Sequence, residues 1–181
     1  MILLVHSCKG REWVLDHWRK FWDKLNVDVF DIHFVTDDNI FSDQLIEVLN
    51  TFTDDYIWYT LDDYFIQNAI HWEYWDLVAR DWKVDALRLQ PNVQHNSIPY
   101  RFERKGRLLK QLPSSAYTMS MQTSIWRRKY FLECLTPGLD PWELEHTKPR
   151  LGNVYFVPKL PFWYIDGVRR GMIRDKYKHL I

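Results

Sequence analysis

Two adjacent carboxylates, Asp62 and Asp63, interrupt the apolar run YIWYTLDDYFI from Tyr56 to Ile66. A segment rich in Tyr, Ile and Trp reads as a buried strand. Central strands of open α/β sheets end at the crevice where ligands bind, so the pair is expected at a ligand-binding edge. Hard carboxylate oxygens suit Mg2+ or Mn2+, ions that commonly take one or two protein carboxylates and complete their shell with substrate phosphates. A nucleotide is therefore the natural partner. Paired aspartates also end strands and cap the turns that follow them, and the pair alone leaves both readings open.

A second group of chemically capable residues lies in GLDPWELEH, Gly138 to His146. Asp140 is spaced as an N-cap, Pro141 falls at the first helical position and Glu143 follows the cap by three residues, which is the pattern of a capping box. The box accounts for Glu143 without chemistry and leaves Trp142 and Glu145 unexplained. A carboxylate near a helix start, beside an aromatic wall, is also how a general base for an acceptor hydroxyl is presented. Glu143 and Glu145 are two apart and diverge on a helix, so only one of them faces any site.

The elements that must position these groups alternate in type. Met1 to Ser7 reads as a short buried strand followed by the polar turn Cys8, Lys9, Gly10. Val14, Trp18, Phe21, Trp22 and Leu25 recur at helical spacing from Trp13 to Leu25. Val27 to Val35 reads as a second strand, closing on Thr36, Asp37 and Asp38, and Leu45, Ile46, Leu49 and Phe52 mark a second amphipathic helix. Strand, helix, strand, helix, strand predicts a parallel sheet with right-handed crossovers, whose acidic strand ends share one edge. Further on, a helix is expected over His71 to Trp82, a strand near Ala86 to Leu89 ended by Pro91, and a hairpin over Tyr100 to Leu112 turning at Lys105 and Gly106. The hairpin's basic residues read as a solvated face, with a phosphate-contacting lid as the alternative. Tyr117 to Trp126 reads as a strand passing into a helix through Leu132, and strands near Val154 to Val157 and Phe162 to Ile165 precede a basic tail from Arg169.

Composition bounds the function. A chain of 181 residues suits one domain, 1–181, with a sizeable core. Its 24 basic residues balance 24 acidic ones, so no global field favours nucleic acid or an anionic membrane. Cys8 and Cys134 supply neither a disulfide framework nor a zinc pattern. The opening MILLVHSCKG is short and wrongly flanked for a signal peptide, and no apolar run approaches the roughly 20 residues of a membrane span. A cytoplasmic location is the expectation. Ten Trp, ten Tyr and ten Phe are enough both to fill a core and to offer aromatic faces to sugar rings or nucleobases.

Four segments, LLVHSCKGREWVLDHWRKFW, YIWYTLDDYFI, YTMSMQTSIWRRKYFL and DPWELE, occur in an order that resembles small bacterial and viral glycosyltransferases of the GT-A type. The resemblance covers most of the chain and implies an α/β fold: a GT-A-like, Rossmann-like domain with a mostly parallel central sheet flanked by helices and a small β-hairpin insertion. It further implies that Asp63 binds Mn2+ or Mg2+ with Asp62 nearer the ribose. The chain departs from the Asp-x-Asp of many such enzymes in having Leu61-Asp62-Asp63. Val5, His6 and Ser7 would line the base and ribose pocket, joined by Asp37 and Asp38. Gln122 would reach donor-sugar hydroxyls, unless it is an ordinary strand end. The base would be Glu143 or Glu145, Glu143 matching by its place in the motif, and Arg169 and Arg170 would fold over the diphosphate unless they form a plain basic terminus.

The resulting expectation is metal-dependent transfer of a sugar from a nucleotide-diphosphate donor, a UDP- or GDP-sugar, to a hydroxyl, with inversion. The acceptor is left open among a glycan, a lipid-linked intermediate, a protein and a modified nucleobase. A viral source would place the reaction in host cytoplasm. The rival readings are a nucleotidyltransferase or pyrophosphorylase, which would want a Gly-rich phosphate loop where only Gly10 stands, and a non-catalytic nucleotide- or carbohydrate-binding module.

Overall fold

The computed structural model describes residues 1–8, 10–25, 27–37, 40–68, 71–89, 102–112, 119–147, 152–158, 164–166, 168–169 and 172–175. The first half alternates as the sequence predicts. Strand β1 (Ile2–Cys8) leads to helix α1 (Glu12–Asp23), β2 (Asp31–Asp37) to α2 (Phe41–Thr51), and β3 (Tyr56–Leu61) to the short β4 (Tyr64–Ile66) and α3 (Trp72–Asp81). Then come β5 (Ala86–Arg88), the hairpin β6 (Phe102–Lys105) and β7 (Leu108–Gln111), β8 (Ser124–Arg127), α4 (Arg128–Cys134) and α5 (Pro141–His146). The chain closes with β9 (Val154–Phe156), β10 (Tyr164–Asp166), β11 (Val168–Arg169) and β12 (Met172–Ile173).

Eight strands form one sheet in the order β2-β1-β3-β8-β5-β9-β7-β6. β1 is parallel to β2 and β3, and β5 is parallel to β9. β8 runs antiparallel between β3 and β5, and β7 runs antiparallel between β9 and β6. All strands but β8 and β7 therefore point one way. Two small sheets, β10 with β4 and β11 with β12, complete the described pairing.

Alternation along the strands sorts side chains onto two faces. Leu3, Val5, Trp58, Leu87 and Ile125 join Trp18, Trp22 and Trp72 from α1 and α3 in one core. Leu4, Ile57, Tyr59, Ala86 and Trp126 join Leu45, Leu49, Phe131 and Leu144 from α2, α4 and α5 in the other. A sheet covered on both faces explains why β3 reads as a continuous apolar run. Among the described residues, most of the aromatic side chains pack in or against these cores: Trp58 lies 4.9 Å from Trp72 and 5.3 Å from Phe30, centroid to centroid.

Several boundaries differ from expectation. The second strand begins at Asp31 rather than Val27, because its ladder with β1 starts where Asp31 N–H donates to Met1 O at 2.9 Å, while Val27 and Val29 pack on the core from a loop. Of the strand expected from Tyr117, residues 119–123 lie outside any strand and Ser124–Arg127 forms β8; of the last expected strand, Tyr164–Asp166 forms β10; residues 117, 118, 162 and 163 lie outside the described residues. The hairpin turns at Gly106, whose φ of +57° is the left-handed conformation glycine tolerates. It lies at the far end of the sheet order from β1 and β3 with β6 exposed throughout, which favours the solvated face over the lid. Pro91 lies outside the described residues.

Candidate active site

The parallel register of β1 and β3 pairs His6 with Leu61, and Asp62 N–H continues the ladder by donating to His6 O at 2.9 Å. The carboxyl ends of both strands thus arrive at one edge, with Ser7 beside Asp62. Ser7 Oγ donates to Asp62 Oδ2 at 2.6 Å. Asp62 is 1% exposed, and its other oxygen, Oδ1, accepts from Arg11 Nη2 at 2.8 Å. The same nitrogen stands 3.6 Å from Asp63 Oδ2. One guanidinium therefore bridges both carboxylates.

Arg11 arrives there through the turn between β1 and α1. Gly10 has φ +77°, and no atom lies within 4 Å of where a Cβ would stand, so backbone conformation and not crowding calls for glycine. Arg11 occupies the N-cap of α1 without a side-chain cap bond, its side chain being turned to Asp62. Burial pushes the Asp62 carboxyl from 3.8 up to about 6, opposed by the Arg11 charge and the Ser7 hydrogen bond and reinforced by the Asp63 charge.

The segment before β8 reaches the same edge from the other side. Tyr59 pairs with Ser124, and Thr60 Oγ1 lies 2.9 Å from Thr123 Oγ1, which continues the register to set Gln122 beside Leu61. The Gln122 carbonyl accepts from Ser124 Oγ. Glu145 Oε1, from α5, accepts from Met121 N–H at 3.0 Å. Glu143 closes the expected capping box instead: its Oε2 accepts from Asp140 N–H at 3.0 Å while its own N–H donates to Asp140 Oδ1 at 2.8 Å. Of the two glutamates, Glu145 is the one joined to this edge.

The other predicted residues divide. His6 is buried, stacked on Phe41 at 4.1 Å between centroids, with Nδ1 3.5 Å from Tyr59 Oη. Val5 is fully buried in the core beneath the edge rather than lining a pocket, because alternation turns it onto the α1 side. Asp37 ends β2 at the same edge, opposite Cys8. Asp38 and Arg170 lie outside the described residues. Arg169 lies in β11, shortly after β10, whose Asp166 pairs with Tyr64, the residue following Asp63. Strand β10 thus returns beside the aspartates.

Sequence reasoning missed Arg11 and the Thr60–Thr123 contact. A cation directly after the turn that ends the first strand was the available signal for Arg11, once β1 and β3 are known to be neighbours.

A divalent ion is expected at Asp63 and Asp62. Among the described residues no three His, Cys, Asp or Glu side chains come together as a metal cage, so an ion would rest on this pair and on substrate. Both Asp62 oxygens already accept hydrogen bonds, and a dication on Asp63 Oδ2 would stand within a few ångströms of the fixed Arg11 charge. In this arrangement the residues do not fit a resident dication.

No protein-family model and no curated protein sequence matches this chain. Solved structures do. The Staphylococcus aureus TarS 1–349 crystal structure superposes with a TM-score of 0.56 at 11% identity, covering 91% of this chain and 60% of that one. A197 from STIV superposes with a TM-score of 0.50 at 14% identity, covering 87% of this chain and 82% of that one. The chain thus spans about three-fifths of the TarS structure. At such identities the likeness shows the fold: a Rossmann-like α/β domain of GT-A type.

Proposed function

We propose that this chain is a glycosyltransferase that moves a sugar from a nucleotide-diphosphate donor to a hydroxyl acceptor. The observation that carries the reading is the meeting of Ser7, Arg11, Asp62 and Asp63 at the carboxyl ends of β1 and β3, where open α/β sheets bind ligands. The GT-A-like fold shared with the TarS and A197 structures supports the same class.

In this reading the nucleotide lies along the ends of β1 and β2, with Ser7 and Asp37 beside it and the diphosphate over Arg11. Guanidinium donors suit phosphate because they bond in pairs in a fixed plane. Gln122 faces the donor sugar. Glu145 takes the proton of the incoming hydroxyl as the oxygen attacks the anomeric carbon, and the diphosphate leaves on the opposite side, so the configuration inverts. Trp142, 74% exposed one helical turn before Glu145, offers an apolar face to a glycan acceptor. Arg169 and Arg170 would add further positive charge for the diphosphate. The acceptor is a glycan or another hydroxyl compound, a modified nucleobase included.

Product analysis tests the class. Incubation with UDP- and GDP-sugars and a mixed glycan acceptor pool is expected to release free nucleoside diphosphate together with a glycosylated product of inverted configuration. Pyrophosphate release would instead assign a nucleotidyltransferase, and retention would remove the single-displacement step.

A further inference from the structure

We propose that Arg11 takes the place of a divalent cation at this edge, so that a nucleoside diphosphate binds here without metal. The inference rests on the donor-binding reading above and concerns only what neutralises the diphosphate.

Three observations converge on it. Arg11 Nη2 donates to Asp62 Oδ1 at 2.8 Å and lies 3.6 Å from Asp63 Oδ2, so its charge sits between the two carboxylates a metal would have used. The second Asp62 oxygen is closed by the Ser7 hydroxyl at 2.6 Å, and Asp62 is 1% exposed, which leaves the residue shaped as a clamp on Arg11 and not as an open ligand. Arg11 Nε is buried without a hydrogen-bond partner among the described residues, while the side chain as a whole is 21% exposed. The guanidinium is therefore held from one side by the carboxylates while part of the side chain stays open, and a phosphate oxygen is the acceptor that a guanidinium presented in this way fits.

The assignment gives each residue a distinct role. Arg11 would touch the diphosphate. Asp62, Asp63 and Ser7 would be positioning residues, which aim the guanidinium and remove its freedom before the ligand arrives, a saving that appears as affinity. Arg11→Lys would keep a charge but lose the planar fork, and Arg11→Met would keep length and lose both.

The test is the melting temperature of the full chain with UDP and with GDP, each in the presence of EDTA and of Mn2+, for the wild type, Arg11→Lys and Arg11→Met. A ligand that binds only the folded state raises this temperature. The expected result is an equal rise with EDTA and with Mn2+ in the wild type, a weakened rise in Arg11→Lys and at least a tenfold loss of affinity in Arg11→Met. A rise that appears only with Mn2+ overturns the inference while leaving the donor-binding reading standing, and an undiminished rise in a folded Arg11→Met does the same. Absence of any rise in the wild type under both conditions overturns the donor-binding reading and this inference together. The wild-type arms decide the question even if the variants fold poorly.

Discussion

The Glu143 carboxylate accepts from the backbone at the start of its own helix, and the Glu145 carboxylate from a backbone N–H on the edge of the central sheet. These different partners separate two residues of which the resemblance favoured Glu143 as the base, and point to Glu145 instead. Glu143→Gln keeps an oxygen that can accept from Asp140 N–H and loses only a charge at the helix start, so it should lower stability by about 0.5 kcal/mol and leave turnover near the wild-type rate. Glu145→Gln should keep donor binding and lose turnover by a factor on the order of 100 or more. Steady-state rates beside melting curves check both, and inactivity of a stable Glu143→Gln would return the base to that position.

The Asp62 carboxyl makes stability depend on pH. Its folded-state pKa lies above the unfolded value, so the folded protein keeps a proton that the unfolded chain releases between pH 3.8 and about 6. Stability from this residue is therefore greatest below that window, falls as pH rises through it and is level above. Melting temperatures of wild type and Asp62→Asn compared from pH 4 to pH 7 should diverge in favour of the variant up to about pH 6 and then run parallel. Curves that stay parallel throughout would show that Arg11 and Ser7 fully offset the burial.

The turn joining β1 to α1 is the element on which the site depends most. Gly10 holds φ +77° there, a conformation that costs an L-residue roughly 1–2 kcal/mol. Gly10→Ala should lower stability by about that amount, and any relief of the strain would swing Arg11 away from Asp62 and weaken diphosphate binding. Chemical denaturation and a UDP or GDP titration of the same variant report the two effects separately.

Elements also mark where the sequence was legible. The capping box at Asp140 to Glu143 was readable because all its bonds span three residues. The apolar run of β3 and the helical stripe of α1 were readable because each is a local periodicity imposed by a two-sided core. The antiparallel insertion of β8 between β3 and β5 was not, since strand direction carries no signature in a fully buried segment. Arg11 was missed for a related reason. It meets Asp62 across 51 residues of chain, and only the parallel pairing of β1 with β3 reveals the contact.

At the scale of the molecule, the two cores on either face of one sheet hold the ends of β1, β3 and β8 in register. That rigidity brings the side chains of residues 7, 11, 62 and 63 together at one edge, with Glu145 bonded to the segment before β8. Among the described residues no helix is long and apolar enough to cross a membrane.

The central claim is that this edge binds a nucleotide-sugar, and thermal stabilisation of the full chain against a panel of nucleotide-sugars tests it most directly. The expected result is a selective rise with one donor class, weakened in Arg11→Met. No rise with any nucleotide-sugar would contradict it.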